Sequence, residues 1–293
     1  MTTAATTAPT AVPFRFFDAQ VVRTRPLGPS MARITFGGGC LKDFATGGRD
    51  QRFKLFLPHP GQSAPVVPTE HGEGWFAAWR AMDPAVRGVM RSYTVRDQRR
   101  EPGEIDVDFA LHEDGGPAAR WAARAEAGDR VTLLGPTEGD NAGVDFRPPP
   151  GTDWVLLTAD ETALPAVAGS LQWLPAGTLA KVWIEVQHAA DIQELPTAAD
   201  AEITWLVRDG AAPGTPRHAL VLDALRAAEL PRGTPYAWIA GEAGTVREVR
   251  RHLVRERGFD RKAVTFTGYW RLGACEEQLV EEAVSGTGRA EDN

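Results

Sequence analysis

The chain is poor in several residue types and patterns, and each shortage closes off a class of function. It has only two cysteines, Cys40 and Cys275, with no C-x-x-C and no clustering with histidine. That excludes a zinc or iron–sulfur site built from thiolates, and it points to a reducing cytoplasm. No apolar run approaches the length of a membrane-spanning helix, so no membrane insertion is expected. Lysine is scarce, four against 28 arginines, and the formal net charge is −7. An acidic chain of this kind is not a bulk nucleic-acid or membrane-surface binder, although a local basic pocket remains compatible with it. No H-E-x-x-H, nucleophile elbow or Ser-His-Asp signature supports hydrolase chemistry, and no internal repeat is evident. The first 13 residues, rich in Thr and Ala, lack the basic and apolar regions of a signal peptide and are expected to be a disordered lead-in.

At 293 residues the chain exceeds what one core usually supports, so two domains are expected. Hydrophobic and charged contents of 43% and 24% are ordinary globular values. The first half has a β pattern. Phe14 to Arg25, Met31 to Phe36, Gln51 to Pro58, Arg91 to Arg96, Glu104 to His112 and Arg130 to Gly135 are expected strands. Glu104 to His112 alternates strictly, with Ile105, Val107, Phe109 and Leu111 on one face. Short helices are expected at Trp75–Arg80, inside a Gly/Pro-interrupted insertion, and at Ala118–Glu126. Many short strands with one or two helices suggest a small β-barrel.

The pattern changes at Arg147-Pro-Pro-Pro-Gly151, which sets the expected boundary: a barrel over 14–148 and a second domain over 149–275, followed by a helix and tail over 276–293. Near-continuous apolar runs at Trp154–Thr158, Val182–Val186, Ile203–Val207, Tyr236–Ala240 and Ala263–Trp270 read as buried strands. Helical stretches at Ala163–Leu174, Leu220–Glu229 and Val246–Arg257 lie between them, which predicts a mostly parallel α/β sheet.

Five segments carry candidate chemistry. In Arg91-Ser92-Tyr93-Thr94-Val95-Arg96, cations, a phenol and small hydroxyls suit a flat anionic cofactor, and an ordinary amphipathic strand fits equally. In His112-Glu-Asp-Gly-Gly116-Pro117-Ala118-Ala119, a tight turn leads into a helix start, either a simple connection or a seat for pyrophosphate. Asp160-Glu161-Thr162-Ala163 follows the first strand of the α/β half, where such sheets bind ligands. The Rossmann G-x-G-x-x-G is missing from this turn. Thr162 is the expected N-cap, with Pro165 in the first turn. Gly241 and Glu242 end a buried strand, where glycine would let a flat ring approach, and Thr245 and Glu248 form a T-x-x-E capping box. Tyr269 and Trp270, in GYWRLG, suit either a ring-packing wall or a domain seam, and the seam is favoured.

The order RSYTVR, DFALHEDGGPAARWA, GDRVTLLGP, TADETALPAV, AGEAGTVREVRRHL, GYWRLG resembles the siderophore-interacting protein family from about Phe14 to Gly273. The resemblance implies a ferredoxin reductase-like fold, an antiparallel FAD-binding barrel followed by a mostly parallel α/β nicotinamide-binding domain. By position it implies that Arg91 holds the FAD pyrophosphate, Tyr93 packs on the flavin, Thr94 approaches flavin N5, and Ser92 adjoins them. His112 and Gly116 to Ala119 would support the ribose and pyrophosphate. Asp160 to Ala163 would border NADPH or NADH, and Gly241, Glu242, Tyr269 and Trp270 complete the candidate cofactor set. Ala119 replaces the family's usual Ser or Thr, and Ala159 its usual Gly. The implied activity is reduction of a ferric siderophore, expected to be anionic, with NAD(P)H or reduced ferredoxin as donor. Lys54 is the first candidate for the siderophore pocket, Arg271 the second, with Arg52 and Lys262 behind. A general flavin-dependent reductase of quinones or ferric chelates, and a non-catalytic siderophore carrier, are the alternatives.

Overall fold

The computed structural model describes residues 13–111, 115–212 and 214–274. The lead-in, His112, Cys275 and the C-terminal helix therefore lie outside the described residues. Seven strands form a first sheet: β1 (Phe14–Pro26), β2 (Met31–Gly37), β3 (Arg52–Leu57), β4 (Val89–Thr94), β5 (Asp97–Arg99), β6 (Glu104–Ala110) and β7 (Arg130–Pro136). The sheet is antiparallel, in the order β4-β3-β7-β1-β2-β6-β5. Its edge strands β4 and β5 are consecutive in the chain. Between them the Val95 N–H donates to Gln51 O and the Arg96 N–H to Asp106 O, both at 2.9 Å. The sheet is thus curled into a half-barrel whose two edges are linked through two residues.

The alternation of β6 decides its packing. Ile105, Val107 and Phe109 are fully buried among Phe36, Leu55 and Leu133. Removing each such side chain from water contributes about 2 kcal/mol. The other face carries Asp106 and Asp108, whose burial is matched by bidentate arginines. Arg33, opposite Asp108 in the register, binds it at 2.6 and 2.8 Å, and Arg99 binds Asp106 at 2.7 and 2.9 Å. The short β5 was absent from the expected elements. Outside the sheet, α1 (Trp75–Ala81) places Trp75 against Phe16 and Phe56. The helix expected at 118–126 is shorter, α2 (Pro117–Ala122), and its Trp121 packs on Phe36 and Phe109.

The second sheet is parallel throughout, ordered β10-β9-β8-β11-β12. Its strands are β8 (Trp154–Ala159), β9 (Leu179–Val186), β10 (Asp200–Val207), β11 (Pro235–Glu242) and β12 (Val264–Trp270). Helices α3 (Leu164–Trp173), α4 (Ala219–Ala227) and α5 (Ala243–Arg251) connect them, and two apolar clusters cover its two faces. Strand order reverses between β8 and β11, and a crevice opens at such a switch point beyond the strands' carboxyl ends.

Two capping expectations are corrected. Thr162 does not cap α3. Its N–H and hydroxyl both donate to Asp160 Oδ1, at 3.0 and 2.5 Å, and Ala163 precedes the helix without a side-chain cap. The T-x-x-E box also fails, because α5 starts earlier. Glu242 is the N-cap, accepting the Thr245 N–H at 2.8 Å, while Glu248 pairs with Arg251.

The two sheets are joined by specific contacts. Phe146 lies upstream of the triproline, yet it is fully buried in the second core, 5.5 Å from the ring of Tyr236. Asp50 accepts the N–H groups of Asp145 and Phe146 at 3.0 to 3.2 Å and the Trp238 indole N–H at 3.0 Å. Gly169 explains itself in the same seam, since a Cβ there would lie 2.2 Å from Arg49 O.

Candidate functional site

The strand RSYT lies where the two sheets meet. In β4, Arg91 is 8% exposed and its Nη1 donates to Met90 O at 2.8 Å. Ser92 is exposed and accepts from Lys54 Nζ at 2.8 Å, its register partner on β3. Tyr93 is half-buried, with its ring 4.3 Å from that of Phe109. Thr94 is buried and lies beside Tyr269, which comes from the carboxyl end of β12. Burial pushes the Tyr269 phenol up, so it stays neutral and can serve as a hydrogen-bond partner. Its ring meets Trp238 edge-on at 6.4 Å. GYWRLG therefore contributes a seam residue at Tyr269.

Beside this strand, Gly116 stands at the N-cap of α2 with Pro117 following, and no side chain caps the helix. Space around Gly116 is open: a Cβ there would meet nothing within 4 Å. Ala118 is buried and Ala119 half-buried in the first turn. A buried guanidinium, uncapped N–H groups with room above them, an accessible phenol face and a neighbouring hydroxyl suit the pyrophosphate and ring of FAD.

The carboxyl edge of the second sheet is more crowded than the sequence suggested. Gly241 has φ of 139°, and its missing Cβ would lie 2.6 Å from Asp160 Oδ2. The glycine makes room for that carboxylate instead of for a ring. Asp160 Oδ2 also accepts the Glu242 N–H and the Trp270 indole N–H, each at 2.8 Å. Next to it Glu161, 1% exposed, accepts from Arg217 Nη2 at 3.0 Å. Burial, reinforced by the Asp160 charge, pushes the Glu161 carboxyl up to about 7 despite the arginine. Glu185 holds Arg208 at 2.7 Å and Arg217 at 3.5 Å, and the Arg217 guanidinium lies 4.9 Å from the Trp270 ring centre. Only about 20 Å³ of space remains among these side chains.

The structure gathers Lys54, Ser92, Arg52, Thr94 and Tyr269 at the seam, with Arg271 two residues beyond Tyr269. Arg52, the register partner of Thr94, pairs with Asp145 at 2.9 Å. Lys262 is not among them. It lies in the turn before β12, at the opposite end of that strand from Trp270 and about 20 Å along it. Asp50, Trp238, Glu185 and Arg217 were missed by sequence reasoning. Arg217 sits in an aperiodic Gly/Pro stretch and is one of 28 arginines, so no local signal separated it.

The fold defines a two-domain, ferredoxin reductase-like flavoprotein class, and the comparisons narrow it. Residues 20–140 match the siderophore-interacting FAD-binding domain and residues 152–273 match the siderophore-interacting protein model. A siderophore utilization protein from T. fusca is 36% identical, covering 90% of this chain and 95% of its own, with a TM-score of 0.75. Ferric vibriobactin reductase ViuB of Vibrio cholerae is 29% identical over 89% of this chain and 91% of its own length. The NADPH-dependent ferric-chelate reductase of Escherichia coli is also 29% identical, over 87% and 93%. The ferredoxin reductase in carbazole 1,9a-dioxygenase, 17% identical over 88% of this chain and 70% of its own with a TM-score of 0.59, shares the fold alone. The chain belongs to the siderophore-interacting protein family, whose fold is that of FAD-containing oxidoreductases. Among the described residues, no helix is long and apolar enough to cross a membrane, and no group of three or more His, Cys, Asp or Glu could hold a metal ion.

Proposed function

We propose that the protein is an FAD-dependent reductase that takes electrons from NAD(P)H and reduces an Fe(III)–siderophore, releasing Fe(II) in the cytoplasm. The observation that carries this reading is the placement of Thr94 beside Tyr269. It joins the strand fitted to a flavin directly to the carboxyl edge of the parallel sheet. Bound FAD accepts a hydride and gives up electrons singly, chemistry that belongs to the cofactor.

The protein's part is binding and orientation. Arg91 and the α2 start would neutralise and hydrogen-bond the pyrophosphate, Tyr93 would supply a ring face, and the Thr94 hydroxyl, beside Tyr269, would approach the flavin N5 region. His112 remains a candidate support for the ribose. At the other edge, Asp160, Glu161, Thr162, Ala163, Glu242 and Trp270 border the nicotinamide nucleotide, and Arg217 must leave Glu161 and Glu185 to meet a phosphate. Lys54, half-buried beside the exposed Ser92, and Arg271 would present positive charge to an anionic siderophore in an otherwise acidic protein. Fe(II) carries less charge than Fe(III) and is held less tightly by hard oxygen donors, so reduction frees it.

An anaerobic absorption spectrum tests the proposal. The purified or FAD-reconstituted protein should show flavin bands that bleach with NADH or NADPH and return on adding a ferric siderophore. A protein that stays colourless after reconstitution would refute the reading. Return of colour with a quinone but not with the ferric siderophore would favour a general flavin reductase.

A further inference from the structure

The two ends of the crevice along the second sheet differ in chemistry. Tyr269 and Trp270, closing β12, mark the end next to the flavin strand. β9 lies three strands away in the same sheet, about 14 Å at the usual spacing. A dinucleotide laid across the carboxyl edges with its nicotinamide at the flavin therefore brings its adenosine ribose to the β9 side. Glu185, next to last in β9 and 5% exposed, lines the crevice there with Arg217. Its Oε1 accepts from Arg208 Nε at 2.7 Å and lies 3.5 Å from Arg217 Nε. Arg217 Nη2 donates to the buried Glu161 at 3.0 Å, and Arg208 Nη2 donates to Arg217 O at 2.6 Å. Both guanidiniums are thus held by buried carboxylates. Even with Glu161 protonated, as its rise to about 7 allows, Asp160, Glu185 and Glu242 set three buried carboxylates against these two cations.

We propose that the electron donor is NADH rather than NADPH, and that Glu185 sets this choice by neutralising Arg208 and Arg217. This rests on the reading above that the crevice takes a nicotinamide dinucleotide, and it names which one. The two donors differ only by the 2′-phosphate on the adenosine ribose, a monoester carrying about −1.5 to −2 charge near pH 7. An arginine with charge to spare is the usual partner of that group, while an acid at the ribose favours the nucleotide without it. Here the arginines have no charge to spare. A 2′-phosphate entering beside Glu185 meets a site with no net positive charge, and like charges at close range oppose binding. The 2′-hydroxyl of NADH needs neither guanidinium.

Rapid-mixing reduction of the FAD-loaded full chain by each donor separates apparent affinity from limiting rate. Wild type should bind NADH at least about tenfold more tightly than NADPH, with similar limiting rates, because the 2′-phosphate lies far from the reacting ring. Glu185→Gln keeps an oxygen for Arg208 and removes the charge. It should tighten NADPH about tenfold and leave both the limiting rate and NADH nearly unchanged. Adding Arg217→Gln to Glu185→Gln should cancel most of that gain, which a merely structural role for Glu185 would not do. A second measurement needs no variant and no flavin: calorimetry of the flavin-free wild type with 5′-AMP and with adenosine 2′,5′-bisphosphate, in which 5′-AMP should bind more tightly. The proposal is overturned by a wild type that prefers NADPH or the bisphosphate, or by a Glu185→Gln protein with unchanged donor preference. Reduction of the flavin by neither donor would defeat the functional reading instead. Calorimetry would then still decide, and binding of neither nucleotide, or tighter binding of the bisphosphate, would count against the role given to Glu185.

Discussion

Glu161 makes stability depend on pH in a direction opposite to that of most carboxylates. Its side chain is buried beside Asp160, and those two causes outweigh Arg217, raising the carboxyl from 4.5 to about 7. An unfolded chain releases this proton near 4.5, whereas the native protein keeps it to about 7. Across that window the native state binds more protons, so its stability falls as pH rises and levels off above the folded value. At about 1.4 kcal/mol per unit the whole shift is worth roughly 3 kcal/mol, most of which falls between pH 5 and pH 8. Glu161→Gln removes the titration and keeps an oxygen that can accept from Arg217. Urea unfolding of both proteins, flavin-free, at a series of pH values should show wild type losing roughly 2–3 kcal/mol more than the variant over that range. Parallel profiles would refute the reasoning and mean that Glu161 ionises in the folded protein much as it does in water.

Arg91→Ala removes a charge-assisted phosphate contact worth about 1.5–3 kcal/mol, so FAD affinity should drop roughly ten- to a hundredfold, and full flavin occupancy after dialysis would count against the assignment. Lys54→Ala should raise KM for an anionic ferric siderophore severalfold and leave FAD affinity unchanged; unaltered kinetics would take Lys54 out of the substrate pocket. Asp50→Ala strands the N–H groups of Asp145, Phe146 and Trp238 in the seam, and chemical denaturation should show a loss of about 3 kcal/mol. A loss below about 1 kcal/mol would mean that water or neighbouring groups replace the carboxylate.

The elements most legible in the sequence were those whose burial follows a simple period. Glu104 to His112 alternates because one face meets the core and the other meets Arg33 and Arg99, and only the first half of that statement is visible in the strand itself. The runs around Leu157, Ile184 and Ile239 marked a parallel sheet because both faces are covered. Strand β5 escaped because three residues cannot display a period. The start of α5 was misplaced for a tertiary reason. Glu242 caps the helix because Asp160, coming from another strand, receives the Glu242 N–H and fills the space that Gly241 leaves. The family order located RSYT and the Gly-Gly-Pro turn, but it could not disclose what fills the second crevice. Arg217 and Glu185 become a site only when a distant loop meets strand β9, and nothing in their own neighbourhoods announces it.

The linkage of β4 to β5 has a consequence for how this protein avoids its own kind. A strand edge invites pairing with another chain, and a long bare edge is a route to aggregation. In the first sheet, one edge is a three-residue strand whose Arg99 is engaged by Asp97, Glu104 and Asp106. The other edge, β4, turns back toward β6 and α2. Among the described residues the parallel sheet has two outer strands, the eight-residue β10 and the seven-residue β12. A β-strand partner docking on β10 would sit at the edge of the second sheet opposite β12 and its Tyr269.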